Sequence, residues 1–224
     1  MFIAAHEFFD ALAVNKFKKV EDEWREVLID VDDSGDRLRY VISKNATPSC
    51  VLLQQDNVKE LVAGRSMLEM SSSAWTMANM MSERIVEDGG AALIADYGHD
   101  GEEGDTLRAF RHHQQVDPLE LPGSADITAD VDFSLLRPQI SSDCAWYGPV
   151  TQAQFLHSCG IGTRCQQLLA SCDSDQQQLV YDSFVMLTSP EKMGTRFKFV
   201  SLFPKSMHEI HAKYPPVGFE ENIN

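Results

Sequence analysis

Positive charge is scarce in this chain. Its 224 residues include 19 lysines and arginines against 34 aspartates and glutamates, a formal net charge of −15. Nucleic-acid phosphate is held by clustered basic side chains, so this balance argues against nucleic acid as the main partner. It favours a cationic partner such as an arginine-rich protein segment, or else serves only to keep the protein in solution. Cysteine is also sparse. The five present, at 50, 144, 159, 165 and 172, form an odd set without a C-x-x-C pair, so neither a zinc site nor a redox dithiol is signalled and reduced, mostly buried thiols are expected. No apolar run approaches the roughly 18 residues of a membrane span. The opening MFIAAHEFFDAL has no basic leader and carries Glu7 and Asp10 early, which excludes a secretory signal or an arginine-rich transit peptide within it. A complete dinucleotide fingerprint is missing as well: Gly160-Ile161-Gly162 lacks the preceding apolar strand and the third glycine, and a helix C-cap explains Gly160 better.

What is present is an ordinary globular composition, 43% hydrophobic and 24% charged, enough for one substantial core. Phe2 to Ala5 reads as a buried strand. EWREVLIDVDD reads as a half-buried strand with Trp24, Val27, Ile29 and Val31 inward, then a turn at Ser34-Gly35-Asp36 and a returning strand LRYVIS. MLEM at 67–70 reads as a short strand. SSSAWTMANMMSERIVEDGG reads as a helix with serine caps, an apolar stripe and a glycine stop. GGAALIADYGHDG then releases an apolar run, Ala91 to Ala95, that stops at Asp96-Tyr97-Gly98-His99. Strands buried on both faces of an open α/β sheet look like this, and the polar residues at their carboxyl ends reach a ligand crevice. The polar stretch from Asp100 to Leu136 is expected as a long functional loop. TQAQFLHSCGI, TRCQQLLASC and DQQQLVYDSFVMLTSP read as three helices, and RFKFVSLFP as a closing strand. Residues 205–224 are expected to form a poorly ordered tail.

Two strand ends concentrate the chemistry. His6 and Glu7, with Asp10, follow the first strand. Asp96 and Tyr97, with His99, follow the later one. In an open α/β sheet these project at the same edge. The pair His112-His113 has no third ligand at metal spacing and reads as surface histidine. Asp126, Asp130 and Asp132 lack the glycine and terminal glutamate of a calcium loop, so they are turn formers, caps or substrate contacts.

AHEFFDAL at 5–12, WREVLIDVD at 24–32, GGAALIADYGHDG at 89–101, PGSADITADVDFSLL at 122–136, GPVTQAQFL at 148–156 and MGTRFKF at 193–199 occur in one order. Together they resemble the MidA family, mitochondrial protein-arginine methyltransferases that serve as respiratory complex I assembly factors. The resemblance implies an α/β, Rossmann-like class I fold using S-adenosyl-L-methionine, with a helical insert on the substrate side. It makes 1–204 the carboxyl-terminal part of a methyltransferase domain that lacks its N-terminal strands and glycine-rich cofactor loop, with the substrate-side loop and insert at about 105–190. One departure is Leu12-Ala13, where the family reads Leu-Pro, so the fixed φ of proline is absent from that turn.

The implied activity is arginine dimethylation of a complex I subunit in the mitochondrial matrix, with no nucleic acid and no membrane span. The alternative is a catalytically inactive truncated form acting as a protein-binding module. A guanidinium stays protonated, with a pKa above about 12. A carboxylate that accepts its N–H bonds in bidentate fashion can aim one nitrogen at a sulfonium methyl group. Glu7 is the first candidate for that role, with Asp10 one helical turn on and His6 as proton acceptor. Asp96 and Tyr97 are the cofactor-side candidates. His99, Asp126 and Asp130 are the substrate-side candidates, and no metal is expected.

Overall fold

The computed structural model describes residues 1–101 and 104–220. In chain order the strands and helices are β1 (Phe2–His6), β2 (Asn15–Val20), β3 (Glu23–Val31), β4 (Leu38–Ile42), α1 (Asp56–Val62), β5 (Met67–Met70), α2 (Ser72–Asp88), β6 (Ala91–His99), β7 (Arg108–Arg111), β8 (Gln114–Val116), β9 (Asp126–Thr128), β10 (Val131–Asp132), α3 (Phe133–Leu136), β11 (Cys144–Thr151), α4 (Gln152–Ser158), α5 (Ile161–Ser171), α6 (Ser174–Thr188), β12 (Phe197–Pro204) and α7 (His208–Lys213). They divide into two compact units. The first is 1–7, 79–98 and 140–224; the second is 8–78 and 99–139.

The first unit is built on a sheet in the order β1-β6-β12-β11. β1 and β6 run parallel, from Phe2 opposite Ala91 to His6 opposite Ala95. β12 lies antiparallel to β6, and β11 antiparallel to β12. Ala92, Ile94, Ala95, Val200 and Leu202 are buried, as expected of strands covered on both faces. Helix α2, whose residues 72–78 belong to the second unit and 79–88 to the first, is announced by Ser71, whose Oγ accepts the Ala74 N–H at 3.1 Å. Its buried stripe is Ala74, Trp75, Ala78, Met81 and Ile85, and it stops at Gly89 and Gly90, both at positive φ.

The three expected helices form at α4, α5 and α6. α4 opens with a capping box between Thr151 and Gln154. Gly160, at φ 82°, ends it in the left-handed conformation that suits glycine.

Residues 205–220 differ from the expected tail; 221–224 lie outside the described residues. α7 buries His211, and Phe219 joins a core of Ala95, Tyr147, Val150 and Phe199. Gly218, at φ 89°, makes this possible, because a Cβ there would stand 2.4 Å from the Phe155 ring. The physical reason is that a few well-placed aromatics anchor the segment, and isolated anchors give no periodic signal.

In the second unit, one sheet has the order β4-β3-β2-β5 and a smaller one β8-β7-β9. Phe17, Leu53, Val58, Val62, Met70, Phe133 and Leu135 fill its core. At the β3–β4 turn, Asp32 Oδ1 accepts from Ser34 Oγ at 2.6 Å and from Gly35 N–H at 3.0 Å. Two expectations change here. The stretch after β6 is not one long loop, since its described part pairs into β7, β8 and β9 and then forms α3. Ile29 and Val31, expected inward, are 57% and 46% exposed.

A buried ion pair ties this unit together. Arg65 Nη1 donates to Asp132 Oδ2, and Arg65 Nη2 donates to Ser134 Oγ at 2.9 Å. Asp132 also caps α3 by accepting the Ser134 N–H. Both side chains are at most 8% exposed. Replacing Arg65 by alanine leaves a buried carboxylate without its counter-charge, and we expect a loss of about 3–5 kcal/mol in urea-unfolding stability. Stability within about 1 kcal/mol of the parent would show that the pair is dispensable.

In the first unit, Tyr147 Oη lies 3.0 Å from His211 Nδ1, and the Phe203 ring meets the imidazole edge-on. Burial, and then the neighbouring His208, push the His211 pKa below its ordinary value. An unfolded chain therefore takes up this proton before the folded one. The stabilisation is complete above about pH 6.5 and is lost as pH falls below that value. Urea midpoints at pH 7 and at about pH 5.5 should fall less for His211→Gln than for the parent. An equal fall would remove His211 from the acid response.

Candidate active site

In the first unit, the parallel pairing of β1 with β6 places His6 and Glu7 next to Asp96 and Tyr97 at the carboxyl ends of adjacent strands. This is the arrangement expected of a ligand-binding edge in an open α/β sheet. Glu7 leaves the strand at φ 46°, an uncommon conformation for a residue other than glycine, and its N–H donates to Ala95 O at 3.0 Å. The backbone is thus pinned while the carboxylate stays 47% exposed, with His6 Nδ1 3.9 Å away. The His6 imidazole is open to solvent on one side and stacks on Phe197 at 5.9 Å.

Tyr97 sits on the same ring, centroids 4.0 Å apart, with the Arg196 guanidinium 5.7 Å from its own centroid. Phe197 is thereby a platform shared by His6 and Tyr97. Its place arises because β12 pairs antiparallel with β6, setting Phe197 opposite Tyr97 and Lys198 opposite Asp96. RFKF is legible as a strand, but nothing local in it announces this neighbour.

Asp96 is fully buried, and its Oδ1 accepts the Tyr97 N–H at 3.0 Å. A carboxylate so enclosed fixes the strand end.

The remaining candidates belong to the second unit. Asp10 does not follow Glu7 on a helix, because residues 9–12 form bends and a turn. It is buried, with Oδ2 accepting from Thr128 Oγ1 at 2.7 Å and its carbonyl accepting from Ala129 N–H. His99 Nδ1 accepts from Gly101 N–H at 3.3 Å and stands 3.9 Å from Asp132 Oδ1. Asp130 Oδ1 lies 2.6 Å from Arg108 Nη1, off the axis of a good hydrogen bond, and the Asp130 N–H donates to Thr106 Oγ1. These three hold neighbouring segments in place.

Asp126 is exposed. With Phe110, His112 and His113 it lines an open cavity of about 440 Å³. Sequence reasoning missed Glu69, which accepts from Thr106 N–H and Leu107 N–H and lies 4.0 Å from Lys16 Nζ.

Among the described residues, no three histidine, cysteine or acidic side chains are grouped to hold a metal ion, and no helix is long and apolar enough to cross a membrane. All five cysteines are free thiols. Burial pushes the Cys144 thiol up to about 11, so it is protonated and unreactive at neutral pH.

Comparison with known proteins bears on this geometry. Residues 1–150 match the family model for S-adenosyl-L-methionine-dependent methyltransferases. The mitochondrial protein arginine methyltransferase NDUFAF7 of Danio rerio is 47% identical over 97% of this chain and 52% of its own length. The Drosophila melanogaster homologue is 44% identical over 97% of this chain and 50% of its own length, and the Homo sapiens protein 43% identical over 91% and 45%. The chain thus spans about half the length of these relatives.

Two crystal structures from Burkholderia thailandensis share the fold, at 24% identity and over 90% of this chain. One has a TM-score of 0.73 and is covered over 55% of its length. The other, bound to S-adenosyl-homocysteine, has a TM-score of 0.70 and is covered over 53%. The fold is that of class I S-adenosyl-L-methionine-dependent methyltransferases, and the chain belongs to the MidA family within them.

Proposed function

We propose that this chain works as an S-adenosyl-L-methionine-dependent protein-arginine N-methyltransferase, dimethylating an arginine of a respiratory complex I subunit in the mitochondrial matrix. The observation that carries the reading is the pinned, solvent-facing Glu7 carboxylate at the end of a parallel strand pair, beside the His6–Phe197–Tyr97 stack. Its relatives are mitochondrial protein arginine methyltransferases by name, which supports arginine as the substrate class and the mitochondrion as the compartment. Residues 1–204 contribute the methyltransferase domain, with the loop and helical insert of about 105–190 on the substrate side.

The strand-end residues fit such a cofactor in kind: an aromatic platform, an accessible carboxylate and an accessible imidazole meet at one edge. S-adenosyl-L-methionine supplies, when bound, an electrophilic methyl group on sulfur. Tyr97, backed by the fully buried Phe197 ring, offers the flat apolar surface beside it, and Asp96 keeps Tyr97 in place through the buried bond to its N–H.

Glu7 accepts two N–H bonds from the incoming guanidinium and so fixes which nitrogen faces the methyl group. Its negative charge also offsets the positive charge of substrate and cofactor together. His6 takes the proton released after transfer, at an imidazole exposed enough to pass it to water. On the substrate side, the exposed Asp126 is the one acidic candidate turned to solvent for a cationic segment, while His99 and Asp130 position the loops around it.

Glu7→Gln keeps the size of the side chain and removes its charge. We expect methyl transfer from labelled S-adenosyl-L-methionine to complex I subunits to fall by about a hundredfold or more. Binding of S-adenosyl-L-methionine, measured by calorimetry, should change little. Full transfer by the variant would refute the role of Glu7, and a folded chain that neither binds the cofactor nor transfers methyl would refute the function.

A further inference from the structure

The β3–β4 hairpin of the second unit presents an apolar face to solvent. Antiparallel register sets Val27 opposite Ile42, Ile29 opposite Tyr40 and Val31 opposite Leu38. Residues directly opposite share a face, so these six side chains form one patch. Ile29, Val31, Tyr40 and Ile42 are all at least 40% exposed. Apolar side chains scattered singly on a surface call for no explanation, whereas a contiguous patch with a polar rim marks an interaction site.

The same sheet face is covered where it continues onto β2 and β5. There Lys16 Nζ pairs with Asp105 Oδ1 at 2.6 Å, and Glu69 accepts from the backbone of Thr106 and Leu107. The cover ends at the β3–β4 pair. Its border is acidic. Asp105, with a side chain 53% exposed, meets Lys16, whose ammonium lies 4.9 Å over the Tyr40 ring. Burial, and then the charges of Asp105, Asp117 and Glu69, push the Tyr40 hydroxyl above its ordinary value, so three carboxylates lie within electrostatic reach of a ring that carries one lysine. Beyond it, Asp30 and Asp33 share the single Arg39. An apolar floor with a surplus of carboxylates along its edge fits a partner that alternates apolar and cationic side chains.

We infer that the exposed face of the β3–β4 hairpin docks an extended arginine-bearing segment of a partner protein, with apolar side chains seated on Ile29, Val31, Tyr40 and Ile42 and cationic ones against Asp105 and Asp117. This rests on the arginine-methyltransferase reading for its choice of partner and deepens it, by giving the protein substrate a holding surface apart from the strand ends. Affinity would come from the apolar contacts, and selection against acidic segments from the rim.

The test uses the 224-residue chain and a fluorescein-labelled peptide of alternating arginine and valine, with a glutamate-valine peptide as control. Polarisation should report binding of the arginine peptide, weakened about tenfold by Ile29→Ser with Tyr40→Ser. Asp117→Asn, which leaves the apolar floor intact, should weaken it by a few-fold, and raising salt from about 0.1 M to about 0.5 M should do likewise. Circular dichroism checks that each variant is folded; Ile29→Ser alone, at a solvent-facing position, serves if the double variant is not.

Equal affinity in the variants, equal binding of the glutamate peptide, or no binding by the folded parent would overturn the inference. So would sedimentation showing a dimer that Ile29→Ser dissolves, because the occupant would then be a second copy. Calorimetry with S-adenosyl-L-methionine on the same samples separates the two readings: its failure with peptide binding intact would sink the proposed enzyme and not the docking face.

Discussion

Parallel pairing of Phe2–His6 with Ala91–His99 is the contact from which the candidate site follows. Parallel neighbours cannot be joined by a tight hairpin, so the chain between them is long. It here includes β2 to β5 and helix α2. Once made, the pairing brings both carboxyl ends to one edge. Glu7 can then be pinned by the Ala95 carbonyl, and His6 and Tyr97 can share Phe197. Without that register, His6-Glu7 and Asp96-Tyr97 are two pairs of polar residues more than eighty positions apart.

The ionisable groups divide by what surrounds them. Arg65 with Asp132, Asp10 with Thr128 and Asp130 with Arg108 are enclosed and matched, so their charges are used to hold segments together. Glu7 and His6 keep solvent access, while their backbone and ring positions are fixed. Chemistry on an incoming cation requires the second kind: a fixed carboxylate whose oxygens are not already taken. The net charge of −15 is compatible with such a partner without specifying where it sits.

Much of the fold was legible because its signals are local. Serine caps, the stripe from Ala74 to Ile85 and the glycine pair at 89–90 mark α2. The apolar run from Ala91 marks β6, and Ser34-Gly35 marks the hairpin. The misreadings have separate causes. Ile29 and Val31 alternate as an inward face should, but alternation states only that two faces differ, and here the odd-numbered apolar face of β3 is turned to solvent. The stretch after β6 reads as a loop because its strands are three or four residues long and polar on one side. Phe219 could not be placed because a single aromatic after a glycine has no period.

Sequence alone determined the family, through motifs in one order, and the kinds of residue that end β1 and β6, since strand and turn chemistry act between close neighbours. Only tertiary structure decided which of those polar residues remain available. Burial and pairing are set by residues far away in the chain: Thr128 occupies Asp10, the Tyr97 N–H lies against an enclosed Asp96, and the Ala95 carbonyl holds Glu7 facing out. A carboxylate is a candidate by its chemistry, but whether it faces a partner depends on neighbours that no local pattern names.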